Sequence, residues 1–90
     1  MWYFYVLQSI HDRNWFYKGS TNNLSRRIEQ HNKGECHASN PYRPFRLVYY
    51  EAYLHEFAAR MREASVKNSG SVSVPLLKRI RDSLDLYEML

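Results

Sequence analysis

The chain has a single cysteine, Cys36, among its 90 residues. That excludes an internal disulfide and any zinc site built on several cysteines, and it fits a reducing compartment. Long hydrophobic runs are missing as well. The apolar start, Met1 to Leu7, is too short for a membrane span or a signal peptide, and no basic segment precedes it. The expectation is a cytoplasmic protein with no membrane partner. Glycine and proline number three each, and no glycine-rich phosphate loop is formed. A Ser/His/Asp arrangement and a paired-carboxylate motif are also absent.

Aromatic residues are plentiful: eight Tyr, four Phe and two Trp. Each buries a large area, which helps so short a chain hold a core. The net charge is +4, and it is unevenly spread. Between Lys18 and Arg46 lie six basic residues (Lys18, Arg26, Arg27, Lys33, Arg43, Arg46) and two acidic ones (Glu29, Glu35). The final stretch holds Asp82, Asp85 and Glu88 with no basic residue. This asymmetry favours a polyanionic partner, nucleic acid foremost, over a merely solvated basic surface only when a site supports it.

The pattern predicts strands at Trp2–Gln8, Trp15–Gly19 and Phe45–Tyr53. In the first, Tyr3, Tyr5 and Leu7 share one face and Trp2, Phe4 and Val6 the other. Lys18 should oppose Tyr17 across its strand, and Gly19 should end it. A helix is expected from about Asn23, a capping residue, to Asn32, with Gly34 as its stop. On a helical wheel Leu24, Arg27, Ile28 and His31 share one arc, with Arg26, Glu29 and Gln30 opposite. A second helix is expected over His55–Lys67, with Phe57, Met61 and Ala64 as its apolar stripe. Asn68–Ser73 reads as a flexible linker, and Pro75 as the first residue of a last helix with Leu77, Ile80, Leu84 and Tyr87 inward. The fold class is therefore α/β of the α+β type, one domain over 1–90 in the order ββαβαα, with 74–90 as the C-terminal helix.

Two constellations could carry chemistry. Tyr5 and Tyr17 can be neighbours on paired strands, and Arg27 and His31 stack at i, i+4 on one helix face. An arginine fork suits phosphate oxygens, and tyrosine and histidine move protons or position water. The group therefore reads either as a phosphodiester-cleaving site or as a structural polar cluster. Glu63 reads either as one of two exposed ion pairs (Glu56–Arg60, Glu63–Lys67) or as a lone carboxylate for a divalent cation. Cys36 and His37 with His31 match no standard zinc spacing.

Tyr3-Phe-Tyr5, Tyr17-Lys-Gly-Ser-Thr21 and Leu24-Ser-Arg-Arg-Ile-Glu-Gln-His31-Asn-Lys-Gly34 resemble the GIY-YIG nuclease domain, in particular its small single-domain bacterial members. Arg43-Pro-Phe leading to Leu47-Val-Tyr-Tyr-Glu51, then Arg62-Glu63 and Lys67, extend the resemblance over 1–67. It implies a three-stranded antiparallel sheet flanked by helices and Mg²⁺- or Mn²⁺-dependent cleavage of a DNA phosphodiester. By position it implies catalytic roles for Tyr5, Tyr17, Arg27, His31 and Glu63, with Glu63 the metal ligand. Lys18, Gly19, Arg26, Lys33, His37 and Lys67 are expected on the substrate side. The chain departs from the family at Tyr3 and Lys18, and Asn68–Ser73 stands where small relatives carry basic residues. With no separate binding domain, any sequence specificity is expected from a protein partner. Two other readings stay open: an inactive binding module on the same fold, and a partner-docking protein using Leu84, Leu86 and Leu90.

Overall fold

Alternating aromatic and β-branched residues form three strands: β1 (Trp2–Ser9), β2 (Phe16–Thr21) and β3 (Phe45–Tyr53). The computed structural model describes residues 1–90. The strands make one antiparallel sheet in the order β2-β1-β3, so β1 is central and both partners are edges. This position explains why Phe4 through Ser9 are all buried. The helices are α1 (Leu24–Asn32), α2 (Glu56–Asn68) and α3 (Gly70–Met89), with one 3₁₀ turn at Asn40–Tyr42. The predicted α+β class and element order are those of the molecule.

The alternation along β1 divides the core into two layers. On one face Tyr5 and Leu7 pack with Phe45, Leu24 and Ile28, under α1. On the other, Phe4 and Val6 pack with Val66, Leu76 and Ile80, under α2 and α3. Asn23 caps α1 by accepting from the Arg26 amide at 3.0 Å. Gly34 ends it with φ of +81°, where a side chain would be strained and its Cβ would meet Arg43. Asn32 then ties the end of α1 to β3, accepting from the Phe45 amide at 2.6 Å and donating to its carbonyl at 3.3 Å.

Five local expectations are corrected. Gly19 does not end β2, which runs on to Thr21. It lies opposite Tyr5, and a Cβ there would sit 2.6 Å from the Tyr5 hydroxyl, so glycine is what lets the ring cross the strand. The stripe of α2 is not Phe57, Met61 and Ala64: Phe57 and Met61 are exposed, and Ala59 and Val66 are buried. A small residue at 59 allows the helix backbone to approach the sheet closely. The linker Asn68–Ser73 is mostly helix, since α3 begins at Gly70 and Val72 packs on the core. Pro75 is thus interior, not first, and lacks the N–H that would bond the carbonyl four residues back. Finally, Tyr87 is exposed, because the core surface beneath α3 ends at Leu84.

Candidate active site at the edge of β2

β1 and α1 build the inner half of the site. Tyr5 projects from the centre of the sheet toward α1, and its hydroxyl lies 2.9 Å from His31 Nε2. His31, fully buried, has its Nδ1 at 2.7 Å from Ser39 Oγ in the loop before the 3₁₀ turn. Arg27, one turn before His31, donates through Nε to the Tyr5 oxygen at 3.4 Å and through Nη1 to Gln30 at 3.1 Å. Its Nη2 lies 3.9 Å from Cys36 Sγ. The Cys36 thiol is in turn 3.9 Å from the Tyr17 hydroxyl. The Tyr17 ring stands edge-on to His31, centroids 4.6 Å apart.

Burial sets the protonation states here. It holds Tyr5 well above the usual phenol range despite the Arg27 hydrogen bond. It pushes His31 down to about 4, with the Arg27 charge adding to the effect, so the imidazole is neutral at pH 7. Burial and the Cys36 contact raise Tyr17, which is less enclosed. Tyr5 is only 1% exposed, and its hydroxyl is engaged by His31 and Arg27.

The outer half comes from α2. Glu63 reaches the other face of β2, accepting from Ser20 Oγ at 2.6 Å and from Lys67 Nζ at 2.6 Å. Lys67 Nζ also lies 5.7 Å from the Tyr17 ring centroid. Ser20, Arg60, Glu63 and Lys67 line a cleft of about 370 Å³. Because β2 is an edge strand, the two halves meet around it, with Tyr17 between them. The Glu63–Lys67 pair of the sequence reading is therefore real, yet the same carboxylate also faces the strand.

Glu63 stands without a second acidic ligand, and no group of three His, Cys, Asp or Glu side chains converges anywhere in the molecule. One carboxylate beside one hydroxyl fits Mg²⁺ or Mn²⁺ in the mode where water and substrate phosphate complete the shell, and does not fit a dedicated protein cage.

Other predicted residues sit apart. Lys18 lies half-buried on the α2 and α3 side, opposite Tyr17 as expected. Gly19 is buried beneath Tyr5 and spaces the ring. Arg26 is exposed and bonds Asn22, and Lys33 pairs with Glu29 at 2.6 Å. His37 is exposed and shares none of the site's hydrogen bonds. Ser20 and Ser39 were missed, and Cys36, weighed only for zinc, was not expected between Arg27 and Tyr17. A buried histidine needs partners on both ring nitrogens, which could have directed attention to a hydroxyl in the loop after α1.

The sheet and its tyrosine, arginine and histidine cluster define a nuclease-type catalytic domain: the GIY-YIG catalytic domain model matches residues 1–71, and the chain belongs to that family. Among curated relatives it is 35% identical over 79 residues to a UPF0213 protein of Pediococcus pentosaceus, a match covering 86% of this chain and 81% of that protein. α3 lies almost wholly beyond the family match. No helix is long and apolar enough to cross a membrane.

Proposed function

We propose that this chain is a metal-dependent endonuclease that hydrolyses DNA phosphodiester bonds at the edge of β2. One observation carries the reading: Tyr17 is shared by both halves, 4.6 Å from His31 by ring centroids and 5.7 Å from the Lys67 ammonium that pairs with Glu63. A phosphate lying against Tyr17 would meet the Arg27 guanidinium on one side and the Glu63 cleft on the other.

Tyr17 takes the proton of the attacking water. Its raised pKa leaves a small phenolate fraction at neutral pH, and that fraction is a strong base. The water oxygen bonds to phosphorus and the bond to the leaving oxygen breaks. The leaving group departs as an alkoxide and takes a proton from solvent. Arg27 stabilises the charge gathered on the phosphoryl oxygens, a role suited to preorganised donors. His31, neutral and buried, holds Tyr5, and Tyr5 holds Arg27. Glu63, with Ser20 beside it, would hold Mg²⁺ or Mn²⁺, which supplies Lewis-acid charge at the phosphate. Lys67 yields its place readily, since partly exposed i, i+4 pairs contribute only a few tenths of a kcal/mol.

Plasmid nicking with added Mg²⁺ or Mn²⁺ tests the reading. Arg27→Ala and Glu63→Ala are each expected to lower cleavage by about 100-fold or more while far-UV dichroism stays native. A native protein that cuts neither DNA nor RNA with either metal ends the nuclease reading and leaves the binding module in its place.

A further inference from the structure

Three hydroxyl or ring hydrogens lie in the buried chain Tyr5–His31–Ser39, and the two histidine tautomers pair them differently. Ser39 Oγ sits 2.7 Å from Nδ1 and 3.3 Å from the Cys36 carbonyl. With the proton on Nδ1, the ring donates to Ser39, Ser39 donates to the Cys36 carbonyl, and the Tyr5 hydroxyl donates to Nε2. The Tyr5 oxygen then keeps a lone pair for Arg27 Nε. With the proton on Nε2, the ring donates to the Tyr5 oxygen, which Arg27 also occupies. The Tyr5 hydrogen would then have no acceptor, at a residue only 1% exposed. Burying an unpaired donor is costly, so the first arrangement is favoured.

We propose that Ser39 is a positioning residue that fixes His31 in its Nδ1–H tautomer and so sets a one-way hydrogen-bond chain running from Arg27 through Tyr5 and His31 to the Cys36 carbonyl. Ser39 is itself fully buried and rigidly held: its amide donates to the Cys36 carbonyl at 3.2 Å, and its carbonyl accepts from the Tyr42 amide at 2.9 Å. Trp15, stacked on Tyr42 at 4.0 Å, closes the loop over the site. Ser39 never touches substrate. It acts through His31 and Tyr5, leaving the two terminal nitrogens of Arg27 turned away from Tyr5. The catalytic consequence rests on the nuclease reading; the tautomer does not.

Long-range ¹H–¹⁵N correlation of the His31 ring at pH 7 tests this on the native protein, Ser39→Ala and Tyr5→Phe. The native ring is expected to carry its proton on Nδ1. Tyr5→Phe should leave it there, because an Nε2–H would then be an unpaired buried donor while a bare Nε2 is only an unpaired acceptor. Ser39→Ala leaves one unpaired donor in either tautomer and should move a substantial share to Nε2. In the nicking assay Ser39→Ala should lower kcat about tenfold with KM within about twofold of native, the size of one lost hydrogen bond. A native Nε2–H ring, or a Ser39→Ala ring with the native tautomer, overturns the proposal. Absence of cleavage by native protein overturns the nuclease reading, and the nitrogen shifts still decide whether Ser39 holds His31.

Discussion

A neutral, fully buried histidine makes His31 a source of acid sensitivity. Its folded pKa is about 4, below the ordinary 6.5. Between those values the unfolded chain binds the proton that the folded chain refuses. The contribution to stability is therefore complete above about pH 6.5, falls as pH drops through the window, and is exhausted below about pH 4. The full loss amounts to about 3 kcal/mol. Thermal melts from pH 7.5 to 4.5 should show it, and His31→Gln should flatten the curve in that range. Glu51, whose carboxylate is lowered overall because Arg62, Tyr49 and Tyr53 hydrogen bonds outweigh burial, adds its loss only below its unfolded value, nearer pH 4.

At the scale of elements, what aims Glu63 is the setting of α2. Arg62, its neighbour, donates through Nε and Nη2 to Glu51 of β3 at 3.0 and 3.1 Å. Tyr49 and Tyr53 donate to the same carboxylate, and the guanidinium lies over the Phe4 ring. Successive residues on a helix diverge by about 100°. A helix pinned to β3 by Arg62 therefore turns Glu63 toward Ser20 on β2. Arg62→Ala should cost about 2 kcal/mol, because Glu51 loses its charge partner while remaining only 20% exposed at its side chain. Urea unfolding should show a lower midpoint with an unchanged m-value, and cleavage should fall with it. Arg62→Lys should recover less than half of the loss, since an ammonium cannot bond both carboxylate oxygens in the same fork.

Over the whole molecule, seven of the thirteen basic side chains are in ion pairs (Arg13, Lys33, Arg46, Arg60, Arg62, Lys67, Lys78). Lys18 and Arg81 are among the remainder, and both belong to the β2 edge: Arg81 lies 5.2 Å over Phe16, two residues from Lys18. α3 thus brings positive charge to the β2 edge although Asn68–Ser73 carries none. On a Glu63→Ala background, which prevents cutting, Lys18→Ala with Arg81→Ala should reduce the slope of log K against log[salt] for duplex DNA by about 2, near 0.9 per phosphate contact. Unchanged slope would place the nucleic acid elsewhere. The acidic end of α3 is occupied within the molecule, Glu88 binding Arg13 and Arg46 at 2.7 and 2.8 Å. Of the apolar docking residues expected there, Leu84 packs on the core while Leu86 and Leu90 are exposed.

Short-range order was legible in the sequence because it depends on local chemistry. Period-two alternation sorted β1 into its two faces, Asn23 and Gly34 marked the ends of α1, and the helical wheel separated Arg27 from Arg26. The family motif was likewise written in ordered residues, and the family match bears it out over 1–71. What required the tertiary structure was every relation between distant segments. The rotation of α2 follows from Arg62 meeting Glu51 and from Val66 entering the core, not from Phe57 and Met61, which is why those two were misread. The start of α3 follows from a core position for Val72, which outweighs the weak helical propensity of Gly70 and the serines. Tyr17 stands between Arg27 and Glu63 only because β2 is an edge strand, and strand order is set by long-range pairing that no local pattern records.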